Sequence, residues 1–338
     1  MREFNLRNGN GIGFGEIPGI CIDPKRMPDS DFVILSHAHS DHSSAKLSLE
    51  SEYVLSEGTF ALLEGKLSSH QKVRKLNFNS VVETEKFSLS LKNSGHIFGS
   101  SQVEAVEKNS GKKIVFTGDV KLQDSLLQKG AEIIGSDCLV IESTFGLPEF
   151  DFPAREEIYH EIGKWVSSEV QQKKFVILAG YSLGKAQELT KIVNEYTKEI
   201  PLVHENVLKF NDIYKKGNVD LGDYIPLDHN LKDSNVLIMP PNLCTPALRE
   251  FLSYSMGKKV VSGIATGWKY RGNFEKNFPL SDHADCKQLL EYVSKSNPKH
   301  VLTTHGYEKE FAQLVTKKLG IPARPFSEAQ QKSIHEFS

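Results

Sequence analysis

The stretch ILSHAHSDH, residues 34–42, places three histidines and an aspartate in the six positions from His37 to His42, directly after the apolar run 32–35. A chain with 12 histidines in all has concentrated a quarter of them here. Imidazole and carboxylate together are the ligand set of zinc, manganese and iron. His37 and His39 stand two apart where a strand is ending, so both can face one side. Asp41 and His42 follow in the turn and can aim at a second position. Four such groups crowded together are costly unless a cation binds them. The chain must therefore fold so that a buried strand delivers this turn to a polar pocket.

The remaining composition narrows the setting. With 338 residues, the chain makes one large domain or two medium ones. At 39% hydrophobic and 25% charged residues it has an ordinary globular composition. No apolar run approaches the roughly 18 residues a membrane span needs, and the first residues show no apolar leader segment. Cys21, Cys138, Cys244 and Cys286 are far apart and form no CxxC pair, which fits reduced thiols and a cytoplasmic protein. A net charge of −2 excludes a globally basic nucleic-acid coat, so a polyanion would need a local patch or a metal centre.

Apolar, β-branched runs recur at 31–37, 113–119, 138–144, 175–180, 235–241, 259–263 and 300–306, and they predict buried strands. Helical periodicity falls between them at 155–170, 185–196 and 308–319, the last stopped by Gly320. Alternation of this kind predicts α/β layers. His37, Asp119, Glu142 and His305 fall at or near the C-terminal ends of four predicted strands, the edge at which open α/β sheets hold ligands.

One motif supplies too few ligands for two metals. NSGHIFGS adds His96 among small residues, FTGDV adds Asp119 and LTTHGY adds His305. With His37, His39, Asp41 and His42 they make seven candidate ligands, enough for two ions sharing one carboxylate.

The ordered motifs SHAHSDH, SGHIFGS, FTGD and TTHG resemble those of the metallo-β-lactamase fold, and Asp23 in ICIDP resembles its first, structural aspartate. The resemblance implies an αββα sandwich with one metal on His37, His39, His96 and Asp119. A second would lie on Asp41, His42, Asp119 and His305, with Asp41 also catalytic. Asp119 and His305 are 186 positions apart, so something is inserted. IESTFG before that region and LSDHADC after it resemble the extra motifs of the β-CASP nucleases, in which an acidic residue, here Glu142, orients a histidine, here His283, toward the scissile phosphate. AGYSLGKAQEL looks like that family's glycine-containing turn into a helix and puts Ser182 and Lys185 where a phosphate suits the helix N-terminus. ESTFGLPEFDFP, ATGWKYRGN, LSDHAD and THGYEKEFAQ resemble the bacterial and archaeal β-CASP exonucleases associated with DNA ligase, over residues of about 20 to 325. Cys286 departs from them, where an aromatic residue is frequent, and 203–224 matches only loosely.

The expectation is thus a metallo-β-lactamase domain from residues 1–146 and 278–338, with 147–277 inserted as a smaller α/β β-CASP domain. The implied function is a nuclease with two divalent metals, zinc or manganese, on single-stranded DNA or RNA. It would be an exonuclease of repair or processing, with DNA ligase and helicase as partners. Residues 249–276 carry six basic and two acidic side chains around Trp268 and Tyr270, which could stack bases. Lys269 and Arg271 are the candidate phosphate contacts there. A thioester or small-molecule hydrolase of the same fold is the alternative, and a non-catalytic subunit the third. The insertion argues against the former and the complete ligand set against the latter.

Overall fold

A computed structural model of the chain describes residues 6–8, 11–14, 19–28, 30–43, 48–67, 69–227, 231, 234–269, 272 and 274–327. They form two compact units. The first gathers Met1–Leu122, Gly130–Asp151 and His283–Ser338; the second gathers Gln123–Lys129 and Phe152–Asp282.

The first unit holds two sheets. One runs β1 (Leu6–Asn8), β2 (Ile12–Phe14), β3 (Ile20–Ile22), β4 (Phe32–Ile34), β5 (Glu52–Ser56) and β6 (Lys72–Leu76) in that spatial order. The other has the order β19-β18-β11-β10-β9-β8-β7, where β7 is Val81–Glu83, β8 Phe87–Asn93, β9 Ser101–Glu107, β10 Lys113–Phe116, β11 Cys138–Ser143, β18 His300–Gly306 and β19 Ala323–Pro325. Residues alternate across each strand. Ile114, Phe116 and Val140 pack with Ile22, Ile34 and Val54 of the facing sheet. Val115, Leu139 and Ile141 point the other way, onto Leu289 and Tyr292 of α6 (Cys286–Ser296) and Phe311 and Val315 of α7 (Glu308–Leu319). Helix α1 (Glu57–Leu63) follows β5, its N-cap Ser56 accepting from Thr59 N. This is a layered α/β sandwich, as the alternation predicts.

The second unit is one parallel sheet of order β14-β13-β15-β12-β16-β17. Its strands are β12 (Phe175–Ala179), β13 (Leu202–Val203), β14 (Ile225–Pro226), β15 (Val236–Met239), β16 (Val260–Ala265) and β17 (Lys276–Phe278). α2 (Arg155–Gln171), α3 (Lys185–Tyr196) and α4 (Glu205–Lys216) cover the face of Val176, Leu178, Val236 and Ile238. α5 (Pro246–Met256) covers the face of Phe175, Ile177 and Leu237. Central strands buried on both sides explain the continuous apolar runs of this half.

The run 300–306 forms a strand along its whole length, and 185–196 and 308–319 form helices with those bounds. The run 31–37 is strand only over Phe32–Ile34. Beyond Leu35 the backbone leaves the ladder, because Ser36 N turns to the Asp23 carboxylate at 2.8 Å. Sequence periodicity did not resolve β5, β6, β8, β9 or helices α4 to α6. Among the described residues no helix is long and apolar enough to cross a membrane.

Candidate metal centre

Four chain segments converge in the first unit. The first leaves β4: His42 N and Ser43 N both donate to His39 O, at 3.1 and 3.0 Å, closing the turn that carries the histidines. The second is the loop between β8 and β9, tied by Ser94 N to Ser100 O at 3.1 Å and by Ser94 Oγ to Ser100 Oγ at 2.8 Å. Gly95 has φ 72°, and a Cβ there would lie 2.3 Å from Lys121 O, so the loop can press His96 against the third segment only with glycine at that position. The third follows β10, with Asp119 just past Gly118, and Val120 N donates to Glu142 Oε1 at 2.5 Å. The fourth is the end of β18. His305 there adopts φ 56°, sparsely populated for a residue with a side chain, and Ser143 Oγ holds its carbonyl. Because β10, β11 and β18 are parallel neighbours, Asp119, Glu142 and His305 emerge on one edge.

Asp119 is the centre. Its Oδ2 lies 3.4 Å from His37 Nε2 and 3.5 Å from His96 Nε2, while its Oδ1 lies 3.4 Å from His42 Nε2. His39 Nδ1 is 3.0 Å from His96 Nε2. Donor atoms of His37, His39, His96 and Asp119 fall within 4.8 Å of one another, as do those of His42, Asp119 and His305, and those of Asp119, Glu142 and His283. Six of the seven candidate ligands thus meet in two groups that share Asp119. Asp41 is in neither group among the described residues. It is exposed in the turn, with its Oδ2 3.6 Å from His42 Nε2.

A network behind the rings sets their orientation. Ser36 Oγ donates to Asp23 Oδ2 at 2.6 Å and lies 3.0 Å from His37 Nδ1. His42 Nδ1 lies 2.7 Å from the same Asp23 oxygen. With Ser36 donating onward, His37 Nδ1–H is the donor to it, which puts the lone pair on Nε2; Asp23 does the same for His42. His37 Nε2 and His42 Nε2 are fully buried without a hydrogen-bond partner. Buried nitrogens of this kind cost about 1–3 kcal/mol each unless something fills the site. Nitrogen and carboxylate donors around it are the chemistry of a divalent transition metal, and the residues fit one.

The titration pattern agrees. Burial lowers His37 to about 4 and His96 well below its ordinary value, and it lowers His305 as well; neighbouring histidines reinforce each shift. Burial also works against a charged His42, but Asp119, Asp23 and Asp41 outweigh it and raise the ring to about 10. Burial pushes Asp119 upward, and His42, His283 and His37 overcome this and hold it well below the carboxylate range. Without a metal, a proton on His42 supplies the positive charge that this pocket is built to hold.

His283 and Glu142 also meet. His283 Nδ1 lies 2.9 and 3.1 Å from the two oxygens of fully buried Glu142, and the ring sits 4.6 Å from that of His96. The predicted substrate-side residues belong to the second unit. Ser182 is half-buried in the turn before α3, and Lys269 is exposed. Lys185 is buried, its ammonium 2.6 Å from Asp282 Oδ1 and 3.9 Å from Glu188. Arg271 and Tyr270 lie outside the described residues. Sequence reasoning missed Ser36, although a serine beside the first histidine is a natural relay to an upstream aspartate. It also missed the cluster of Arg155, Tyr159 and Glu188, for which no local signal exists.

Comparison with known proteins adds four findings. The family described as the Zn-dependent metallo-hydrolase RNA specificity domain matches residues 275–324. A probable DNA ligase of Opitutus terrae is 31% identical over 305 residues, which cover 88% of this chain and 29% of that protein. The chain therefore spans under a third of that relative. An RNase J-like protein of Methanocaldococcus jannaschii is 24% identical over 91% of this chain and 88% of its own length. Among solved structures, a protein of unknown function from Enterococcus faecalis V583 superposes with TM-score 0.60 over 89% of this chain and 92% of its own, at 15% identity, a likeness of fold.

Proposed function

We propose that this chain, which belongs to the metallo-β-lactamase-fold β-CASP nuclease family, is a divalent-metal-dependent phosphodiesterase acting on DNA or RNA. The observation that carries the reading is the buried Asp119 carboxylate, whose two oxygens face two separate groups of histidine nitrogens. His37, His39, His96 and Asp119 would hold one ion, and His42, Asp119 and His305 a second, with Asp41 completing it from the turn. Zinc suits the nitrogen-rich donor set and manganese is the alternative. Bound ions of this type neutralise charge on a phosphoryl oxygen and lower the pKa of water toward 7.

The chain's own groups do the rest. Asp23 and Ser36 fix the ring nitrogens that face inward. Glu142 accepts from His283 Nδ1–H, which orients the ring and leaves Nε2 as the atom that holds a proton for the departing oxygen. Of the substrate-side candidates, Ser182 is half-buried and Lys269 exposed, which leaves them as the candidates for a strand backbone, and Lys185 is committed to Asp282.

We assign residues 1–146 and 278–338 to the metallo-β-lactamase domain and 147–277 to the inserted β-CASP domain. The two compact units support this division in outline: they divide at 151/152 and 282/283, with the short stretch Gln123–Lys129 grouped in the second. The names of the relatives, a probable DNA ligase and an RNase J-like protein, support action on DNA or RNA. We propose further an exonuclease of single strands in nucleic-acid repair or RNA processing, with DNA ligase and helicase as partners and a cytoplasmic setting. The test is digestion of DNA and RNA oligonucleotides, single- and double-stranded, labelled at either end, alongside a thioester and with metal content measured on the same preparation. Cleavage of the thioester alone, or cleavage by metal-free protein, would refute the reading.

A further inference from the structure

Two of the exposed large apolar side chains of the second unit, Tyr181 (58% exposed) and Trp268 (39%), line one cavity of about 530 Å³ with Ser182, Pro240, Asn242 and Thr266. The cavity sits at the carboxyl edge of the parallel sheet, where β12, β15 and β16 end side by side. The topology makes this edge a crevice. α3, leaving β12, packs on one face of the sheet, while α5, leaving β15, packs on the opposite face. Open α/β sheets hold ligands where connections diverge in this way. The volume falls within the roughly 300–1,000 Å³ of small-molecule sites.

The walls are rigid. Gly180 N donates to Met239 O at 3.1 Å and Tyr181 O accepts from Ala186 N at 3.0 Å, so the backbone of Tyr181 is held on both sides. Fully buried Gln187 clamps the same turn, donating to Ser182 O at 3.1 Å and accepting from Gly184 N at 2.7 Å. Across the cavity, Trp268 N donates to Thr266 Oγ1 at 3.2 Å, and Thr266 N is tied to Phe278 O at 3.0 Å. Pro240 and Pro241 fix the remaining wall. Aromatic rings exposed on preorganised turns lose little entropy when a flat partner stacks on them.

We infer that this cavity is a nucleobase subsite: one unpaired base of a single strand stacks on Tyr181 and Trp268, its polar edge toward Ser182 and Asn242. The inference rests on the nuclease reading for its ligand class and adds a place within the second unit where that ligand is held. Stacking is sequence-tolerant, because every base has a π-face, so the subsite grips a strand without selecting a sequence.

The chain has two tryptophans, and Trp165 is half-buried with its ring 5.6 Å from Phe278, so Trp165→Phe leaves emission to Trp268. The probes are an eight-nucleotide oligoadenylate with phosphorothioate linkages, which resists cleavage, and an abasic oligomer of the same length and backbone. The expected result is saturable quenching by oligoadenylate and about 5- to 150-fold tighter binding than the abasic strand, the range of one stacked base. Tyr181→Ala and, read by anisotropy of a labelled strand, Trp268→Ala should remove most of that difference and leave abasic binding unchanged. Trp268→Phe should restore it, which separates stacking from misfolding. Equal binding of both oligomers, or a full base preference in Tyr181→Ala, overturns the subsite while leaving the nuclease reading intact. If neither oligomer binds and neither natural strand is cleaved, both readings fail.

Discussion

Each unit of this chain buries a cluster of ionisable side chains, and the two clusters end differently. In the second unit, Arg155 Nη2 lies 2.5 Å from both oxygens of Glu188, Tyr159 Oη donates to Glu188 at 2.6 Å, and Arg155 also binds Ser281 O. Lys185 closes on Asp282. Arg155 meets Glu188 and Lys185 meets Asp282, so each buried cation has an anion within the protein. In the first unit, six histidines crowd around Asp119 and Glu142, and two buried ring nitrogens point at nothing that donates to them. Burying charge is tolerable only with compensation. The comparison teaches where compensation comes from: the first cluster calls for an external cation, and the second supplies its own.

The sharpest way to break this contrast is to remove a ligand. His39→Ala should lose at least one metal ion and nearly all hydrolytic activity, with stability of the second unit unchanged. Metal content by mass spectrometry beside an oligonucleotide assay checks it, and full activity in that variant would end the metal reading.

His283→Ala should behave differently, keeping its metal and losing roughly 10²–10⁴-fold in rate, the usual range for a positioned general acid. Most of that loss should vanish on a phosphodiester with a nitrophenolate leaving group, which needs no protonation. Glu142→Gln should show a milder form of the same defect. Metal loss on replacing His283 would instead make it a ligand, as its place in a group with Asp119 and Glu142 allows.

The self-paired cluster should answer to stability and not to metal. Arg155→Met leaves Glu188 buried with a neutral partner and the more distant Lys185, at a cost of about 3–5 kcal/mol. Adding Glu188→Leu should recover part of it. Chemical denaturation measures both, and a fall in metal content in either variant would erase the distinction drawn here.

The smallest effect is a pH dependence of the metal-free protein. His42 is raised to about 10 in the fold from an ordinary 6.5, so its proton stabilises the fold fully below pH 6.5, and that contribution is lost as pH rises toward 10. His37, His96 and His305 are lowered and act only below about 6.5, where the unfolded rings gain protons. Between pH 7 and 8, below the titration of unfolded thiols, the metal-free protein should lose about 1.4 kcal/mol of stability at most, and the metal-loaded protein should lose much less. Stability of the metal-free form that rises with pH in this window would contradict the role given to His42.

Much of this was written in the sequence. The histidine-rich turn, the apolar runs of buried strands and the periodicity of α2, α3 and α7 are local patterns, and local patterns are what a sequence displays. The antiparallel pair β8 and β9 was not legible, because FSLSLKN and SQVEAVE carry polar residues at alternate positions, which leaves no continuous apolar run. The mostly exposed β6, with KVRKL, sends only Leu76 into the core and gives little apolar signal.

The sequence by itself determined which atoms could bind a metal, since imidazole and carboxylate chemistry belongs to the residue and not to its setting. Only the tertiary structure decided which of them come together. Asp119 and His305 are 186 positions apart and meet because β10, β11 and β18 are parallel neighbours that end at one edge. Asp41, adjacent in sequence to His42, stays at the surface of the turn. Ser36 becomes a relay only because the ladder ends at Ile34 and Asp23 waits across the neighbouring strand. Distance along the chain costs little once a sheet fixes its strand order, so a site of this kind is assembled by topology from residues that chemistry had already marked.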